Sequence, residues 1–479
     1  MPIRIVAFTL YRTDVRLRMP FRYGIATMTE GPVLFVRLVV EVDGRVWTGI
    51  SSDLLPAKWF TKVPNQPIAE EIEAMLRVIR RACKTAVGLE GPDAFAIWEQ
   101  LYGEQTAWAG QAGIPPLLAN FGVSLVERAL IEAMAKATSQ TFAQMLQSNV
   151  LGIRLDRIHA ELGAATPRDF LEQSPRSTVV LRHTIGLVDP LTEGEIADGD
   201  RLDDGLPQSL EAGIRAYGLR HFKLKVNGQL ESDLQRLLRC AEVIGKWAPA
   251  DFAFSLDGNE QFASIEAFRV FWEKAQGERG LREFLKHLLF VEQPVHRNAA
   301  LRAEVAAEFG AWPDRPPIII DESDATLADA PRALRLGYAG TSHKNCKGIF
   351  KGVANRCLIE FCRKARRDVG LMMSGEDLCN TGPVALLQDL AVMAALGIES
   401  VERNGHHYHA GLSQFPPPVQ MSVLRLHGDL YQQCARGWPT LRVADGRLSM
   451  DSINRAPFGV GFELDCSLFD RLHETEEPS

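Results

Sequence analysis

The sequence predicts an α/β protein: a (β/α)8 barrel of the modified TIM type, preceded by an N-terminal α+β domain. Two observations lead to this fold class. Beyond about residue 150, short apolar strands alternate with amphipathic helices in eight successive units. Before that point, a strand-rich stretch is followed by a long stretch with helical spacing of its apolar residues.

The composition is that of a globular protein. The chain has 479 residues, 46% of them hydrophobic and 24% charged, and a net charge of −7, which excludes a disordered polymer or a collagen-like repeat. The negative charge offers no broad basic surface for nucleic acid, and no apolar run is long enough to cross a membrane. The eight cysteines form no CxxC pair, so we expect reduced thiols and a cytoplasmic protein.

The N-terminal domain is predicted to begin with antiparallel strands. Residues 33–42 (VLFVRLVVEV) are apolar and β-branched, and Asp43-Gly44 is typical of a hairpin turn before a second strand at 45–50. From residue 66 to about 147 the apolar residues recur three and four positions apart, which predicts helices.

Eight strands are predicted for the barrel, at 179–186, 221–226, 252–257, 288–294, 317–322, 340–345, 369–376 and 398–404. The segments between them are long enough for right-handed crossovers, which favours a closed barrel over an open sheet. We divide the chain into an N-terminal domain at 1–150, a barrel at 151–430 and a C-terminal segment at 431–479 that returns to the first domain.

The strand ends of the predicted barrel are strongly polar. Three apolar runs end in an acid, at Asp257, Glu292 and Asp321. Catalytic groups of such barrels lie at the carboxyl ends of the strands. Three neighbouring carboxylates would repel one another without a cation, and oxygen ligands suit Mg²⁺. Any one of these acids could instead be a loop or helix-capping residue, but their joint occurrence favours a metal site.

Three lysines accompany these acids. Lys223 and Lys225 lie on one face of the second strand, and Lys344 ends the sixth strand, across the barrel. Nearby positive charge lowers the pKa of a lysine, so that its neutral amine can act as a base. Two such bases on opposite sides of a metal would suit proton removal and delivery at the two faces of one carbon.

The motifs FKLKV, SLDGNEQ, FVEQP, IIIDES, HKNCKG and SVERNG follow one another on successive strands. In this order they resemble the enolase superfamily, in the branch of mandelate racemase and muconate lactonizing enzymes. The resemblance covers almost the whole chain. It implies that residues 1–150 are a capping domain with a flexible loop near 19–32, and that the protein is a homo-oligomer.

The resemblance also implies the metal ligands. Asp257, Glu292 and Asp321 would bind Mg²⁺, and Asn259 and Glu322 would be supporting groups around them.

The roles of the other polar strand ends follow from the same resemblance. Lys225 would be the base, and Lys223 would stabilise the enolate oxygen and hold down the pKa of Lys225. Lys344 would act from the opposite face, and Glu402 matches an acid of the muconate lactonizing subgroup.

The implied function is Mg²⁺-dependent removal of the α-proton of a small carboxylate substrate to a metal-stabilised enolate. The reaction would end as a racemisation, epimerisation or cycloisomerisation. An acid-sugar dehydratase is the alternative, although Ser374, Glu376 and Asp377 stand where such enzymes have a histidine. A non-catalytic metal-binding barrel is a further alternative. The sequence leaves open the substrate, and whether His406, His407, His409 or the acidic loop 187–206 contacts it.

Overall fold

The computed structural model describes residues 1–366 and 370–473. The chain begins with an antiparallel sheet of three strands, β1 (Ile3–Tyr23), β2 (Ala26–Val42) and β3 (Arg45–Leu54). The predicted hairpin is confirmed, because Asp43 and Gly44 alone join β2 to β3. Both have positive φ values, 49° and 75°, as a type I′ turn requires.

Strand β1 differs most from the sequence prediction. Residues 19–32, expected as a flexible loop, form the facing ends of β1 and β2, which pair from Ile3 as far as Tyr23. Along β1, buried apolar residues alternate with exposed polar ones. The arginines in this segment lie mainly on its outer face, so they do not interrupt the strand.

Four helices follow in the region predicted as helical: α1 (Ile68–Ala86), α2 (Ala94–Gln111), α3 (Pro116–Thr138) and α4 (Phe142–Ser148). Helix α3 packs against β2 and β3 and is buried along most of its length. The closest approach is at Gly49, where a Cβ atom would lie 1.8 Å from the carbonyl oxygen of Ala129. Any larger residue at this position would force the helix away from the sheet.

The predicted barrel is confirmed. Its eight parallel strands are each hydrogen-bonded to the next, and the eighth also pairs with the first, which closes the barrel. The strands are β4 (Thr178–Ile185), β5 (His221–Lys225), β6 (Ala253–Asp257), β7 (Leu288–Glu292), β8 (Ile318–Ile320), β9 (Gly340–His343), β10 (Met372–Gly375) and β11 (Ser400–Glu402). Position 369, at the start of the seventh predicted strand, lies outside the described residues.

Helices cover the outside of the barrel. They are α5 (Leu210–Tyr217), α6 (Leu230–Trp247), α7 (Ile265–Gly277), α8 (Glu304–Gly310), α9 (Asp329–Leu336), α10 (Ile349–Arg366), α11 (Ala385–Ala395), α12 (Gly405–Tyr408) and α13 (Pro417–Leu426). Single helical turns also occur at Leu155–Ile158 and Arg297–Ala300. Within the described ranges, no helix combines the length and apolar content that a membrane crossing requires.

The C-terminal segment contacts both the barrel and the first sheet. After β12 (Tyr431–Gln433) and β13 (Pro439–Leu441), strand β14 (Arg447–Ser449) pairs antiparallel with β4. Helix α14 (Asp451–Arg455) comes next, and β15 (Asp470–Leu472) pairs antiparallel with β1. Residues 474–479 lie outside the described part of the chain. The division of the chain at residues 150 and 430 stays a prediction.

A buried carboxylate joins the first domain to the barrel. Glu127, on α3, accepts hydrogen bonds from the backbone N–H groups of Ile349 (2.9 Å) and Phe350 (2.6 Å). These are the first residues of α10, whose N–H groups have no partner within the helix. Burial raises the pKa of Glu127 to about 7.

We predict that Glu127→Ala destabilises the folded protein by about 1–3 kcal/mol, because two buried donors lose their acceptor. Thermal unfolding would measure the loss.

The pH dependence of stability distinguishes the role of the Glu127 carboxyl group from the effect of side-chain packing alone. Between the ordinary carboxyl pKa of 4.5 and about 7, the folded state binds a proton that the unfolded state has released. The stability contributed by Glu127 therefore falls as pH rises through this window. Glu127→Gln should lack that slope, and an unchanged slope in Glu127→Gln would contradict the assignment.

Candidate active site

Three carboxylates end neighbouring strands of the barrel. Asp257 and Glu292 are the last residues of β6 and β7 and lie side by side in the sheet. Asp321 directly follows β8. All three are at most 1% exposed, so their negative charges must be balanced by groups inside the protein.

The ammonium group of Lys223 lies among these acids. Its Nζ is 2.9 Å from Asp257 Oδ2 and 2.7 Å from Glu292 Oε2. The same nitrogen is 2.7 Å from Glu376 Oε2 and 3.1 Å from Glu402 Oε2. One buried cation therefore contacts four buried carboxylates.

These buried contacts shift the pKa values of Lys223 and Glu292. Burial opposes the charge of Lys223, but the four carboxylates raise its pKa well above the usual value. Burial, together with neighbouring Asp257 and Glu376, raises the pKa of Glu292 well above that of an ordinary carboxyl. Two further cations pair with members of this cluster, Lys225 with Asp257 and Arg182 with Glu376.

The residues present fit a hard divalent cation such as Mg²⁺. Asp257, Glu292 and Asp321 offer only oxygen atoms, which this ion prefers. Glu292 forms an ion pair with Lys223, but neither of its carboxylate oxygens has a hydrogen bond of acceptable geometry to any described residue. A buried carboxylate without donors is costly, and a cation at this position would remove that cost.

Lys225 and Lys344 reach this region from opposite sides of the barrel, because Lys225 ends the second of the eight strands and Lys344 directly follows the sixth. Lys225 Nζ donates to Asp257 Oδ2 at 2.6 Å, and Lys344 Nζ donates to Asp321 Oδ2 at 2.6 Å. Burial opposes the charge of Lys344, but Asp321 and Glu292 raise its pKa above the usual value. Each lysine is thus positioned by one strand-end acid.

Glu402, the last residue of β11, contacts Lys223, as do Asp257 and Glu292. It accepts a hydrogen bond from Thr184 Oγ1 at 2.6 Å. Burial would raise the pKa of Glu402, but Lys223 and Lys225 hold it well below the usual value. This carboxylate is therefore ionised.

The two predicted supporting groups differ in position. The backbone N–H of Asn259 donates to Asp257 Oδ1 at 2.8 Å, and its side chain lines the cavity at the barrel mouth. Glu322 instead contacts Lys62 of the first domain, with 3.3 Å between Oε1 and Nζ. The structure therefore brings Asn259 to the cavity, whereas Glu322 joins the barrel to the first domain.

A cavity lies at the barrel mouth. Its polar lining consists of Lys223, Lys225, Asn259, Lys344, Asp377, Glu402 and Asn404. Its remaining lining consists of Phe21, Tyr23, Met28, Pro56, Trp59, Leu378 and Cys379. The first five of these residues come from the N-terminal domain, so this domain supplies a largely apolar wall opposite the charged barrel floor.

Two regions that the sequence left open lie beside this cavity. The acidic loop 187–206 is attached to β1, because Asp204 Oδ2 accepts from Arg18 Nε at 2.5 Å. His407 and His409 are buried within the fold, and His406 is partly buried. Among the described residues that line the cavity, none belongs to this loop or to these histidines.

Several site residues escaped the sequence analysis. Glu376 and Asp377 directly follow β10, just as the other acids end or follow their strands. This position is a sequence signal for a site residue, but from the sequence these two acids serve only as an argument against a dehydratase. Lys347 Nζ lies 3.2 Å from Asp321 Oδ1. Its position three residues after Lys344 is only a weak sequence signal that it reaches the same acid. Trp59, whose ring centre is 4.4 Å from Lys344 Nζ, lies in a loop with no local signal.

Comparisons with known proteins agree with the observed fold. Residues 206–427 match the family model described as "Enolase C-terminal domain-like". The comparison with curated proteins gave no match.

Three similar solved structures illustrate the likeness of fold. A muconate lactonizing enzyme from Pseudomonas fluorescens, in complex with muconolactone, is 16% identical, with 96% of this chain and 97% of that chain covered and a TM-score of 0.59. An enolase from Bradyrhizobium, in complex with magnesium and mandelic acid, is 14% identical, with 98% of each chain covered and a TM-score of 0.57. An N-succinyl Arg/Lys racemase from Bacillus cereus is 15% identical, with 98% and 100% covered and a TM-score of 0.56. At these identities the likeness establishes the fold.

We predict that Lys223→Met destabilises the protein by about 3–5 kcal/mol in metal-free buffer, because four buried carboxylates lose their shared cation. Added Mg²⁺ should restore part of this loss. The control is Lys286→Met, since Lys286 is largely exposed and pairs with Glu283 at the surface, and it should cost less than about 1 kcal/mol. Urea unfolding with and without Mg²⁺ measures both variants. Equal losses in the two variants would contradict this description of the cluster.

Proposed function

We propose that the protein is a Mg²⁺-dependent isomerase of a small carboxylate, because residues 206–427 match the family model "Enolase C-terminal domain-like" and the strand ends carry the motifs that resemble the mandelate racemase and muconate lactonizing branch. The reaction begins with removal of the proton on the carbon next to the carboxylate. It ends as a racemisation, an epimerisation or a cycloisomerisation.

One observation carries this proposal. Two lysines from opposite sides of the barrel, Lys225 and Lys344, line one cavity beside three strand-end carboxylates. A single base would suffice to remove a proton. A second proton-carrying group on the opposite side allows the proton to be returned to the other face of the same carbon, which an inversion of configuration requires.

The proposed roles follow from the contacts of each residue. Lys225 is the base for one face of the substrate, and the carboxylate of Asp257 holds its Nζ in place. Lys344 serves the other face and is held in the same way by Asp321. Lys223, whose charge is fixed by four acids, remains protonated and stabilises negative charge on the substrate.

Asp257, Glu292 and Asp321 would hold the Mg²⁺ ion. When bound, this ion supplies positive charge that attracts the substrate carboxylate and stabilises the enolate form of the substrate.

The lining of the cavity favours an acid with an apolar substituent. Phe21, Met28, Pro56 and Trp59 form a wall with few hydrogen-bonding groups. A sugar acid would need partners for several hydroxyl groups, and burying them against apolar side chains is costly. The apolar wall therefore argues against an acid-sugar dehydratase. Dehydration would be detected as formation of a 2-keto acid.

We predict that Lys225→Ala lowers the rate of α-proton exchange for one enantiomer by about 10²–10⁴-fold or more, since it removes a general base. Deuterium incorporation from D₂O, followed by NMR, measures exchange. A suitable panel contains mandelate, muconolactone and N-acyl amino acids with apolar side chains. Lys344→Ala should remove exchange of the opposite enantiomer.

The exposed Lys286 offers the matched control for this experiment. Lys286→Ala should exchange both enantiomers at the wild-type rate. Wild-type exchange of both enantiomers by Lys225→Ala would contradict its role as base. Exchange that disappears only in Lys344→Ala would transfer that role to Lys344.

The apolar wall gives a separate prediction. Phe21→Ala should lower kcat/KM for an aromatic acid by about 10–200-fold, since a lost apolar contact costs roughly 1–3 kcal/mol. The loss should be small for lactate, because a methyl group has little apolar surface to bury against Phe21, and Phe21→Leu should recover most of the activity. Steady-state kinetics on the two acids measure the effect. An equal loss for both acids would indicate a general disturbance of the site.

A further inference from the structure

Three histidines meet on the outer side of the first barrel strand. His183 lies on β4, and His406 and His407 lie on α12. One nitrogen of each ring lies within 4.8 Å of one nitrogen of both other rings. Adjacent residues of a strand face opposite sides, and Thr184 faces the barrel interior, where it bonds to Glu402. The barrel wall therefore separates the three histidines from the acid cluster.

Two of the rings are in direct contact. His183 Nδ1 and His406 Nε2 are 3.0 Å apart and share a hydrogen bond, and a shift of a few tenths of an ångström would bring them to the separation of about 3.3 Å that two nitrogens bound tetrahedrally to one Zn²⁺ ion have. The other nitrogen of His406, Nδ1, lies 2.5 Å from the carbonyl oxygen of Arg403 and donates to it. Such a contact is the usual way in which a metal-binding histidine is oriented. It leaves the lone pair of Nε2 directed at His183, whose hydrogen bond a metal ion would replace.

The third ring supplies an independent observation. His407 is only 6% exposed, and neither of its ring nitrogens has a hydrogen-bond partner among the described residues. Leaving a buried imidazole unsatisfied is costly. Its Nε2 lies 3.9 Å from Asp189 Oδ2, so a carboxylate is at hand to offset positive charge.

We propose that His183, His406 and His407 bind a transition-metal ion such as Zn²⁺. Imidazole ligands favour zinc, copper or nickel, whereas Mg²⁺ prefers oxygen. Burial also keeps the three rings neutral, since it lowers the pKa of each one. The site is distinct from the acid cluster and does not depend on the proposed reaction.

An ion here would stabilise one wall of the cavity. It would join α12 to β4, and α12 also carries Tyr408, whose ring is stacked on Phe21 at 4.3 Å. Arg18 of β1 donates to the carbonyl oxygen of His407 at 3.0 Å. The ion would therefore fix a helix that contacts both the barrel and the N-terminal domain.

The test uses the full-length protein with excess Mg²⁺, so that the acid cluster is occupied. After incubation with Zn²⁺ and dialysis, we expect the wild type to retain about one equivalent of Zn²⁺, measured by elemental analysis. His407→Gln and His183→Asn should each weaken Zn²⁺ binding by at least the roughly 10–100-fold that loss of an outer partner of a ligand costs. His287→Gln is the matched control, because this ring stacks on Phe252 elsewhere in the barrel.

Substitution with Co²⁺ identifies the ligands directly. The wild type and the His287→Gln control should show the intense visible absorption of four-coordinate Co²⁺, and folded His407→Gln should lose it. Circular dichroism verifies that each variant is folded. Absence of retained Zn²⁺ in the wild type would overturn the proposal. Retention of Zn²⁺ by both His407→Gln and His183→Asn would also overturn it. Loss of Zn²⁺ in Asp257→Asn, with retention in the histidine variants, would assign the ion to the acid cluster instead.

Discussion

The balance of buried charge around Lys223 is the constraint on which the barrel mouth depends. Four carboxylates contact one ammonium group inside the protein, and such a group of charges is stable only if each member keeps its partners. Lys225 is held by Asp257, a member of this cluster, and Lys344 is held by Asp321, the neighbouring strand-end acid. The positions of Lys223 and Lys225 thus follow from one network of ion pairs, and that of Lys344 follows from its separate pair with Asp321.

The sequence was sufficient to predict the barrel and most of its polar strand ends. Apolar runs that stop at Asp257, Glu292 and Asp321 show where buried strands reach the mouth, since barrels of this type carry their catalytic polar groups at that edge. The alternation rule placed Lys223 and Lys225 on one face. These signals are local, because the strand and its end are contiguous in the chain.

Contacts between distant segments could not be predicted in the same way. Strand β1 pairs with β2 over most of its length, but its alternating pattern contains many arginines and was not identified as a strand. Trp59 and Pro56 reach the cavity only because the N-terminal domain lies over the barrel mouth. Glu322 follows Asp321 directly, yet Lys62 of the other domain determines where its side chain lies. Tertiary packing decides each of these positions.

The central claim is that the three strand-end carboxylates bind a divalent cation beside Lys223. A crystal structure of the protein soaked with Mn²⁺ tests this most directly, because anomalous scattering locates the ion independently of any activity. We predict an anomalous peak contacted by Asp257, Glu292 and Asp321, with the Lys223 ammonium displaced from Glu292. A cluster with no peak, and with Lys223 still between Asp257 and Glu292, would contradict the account.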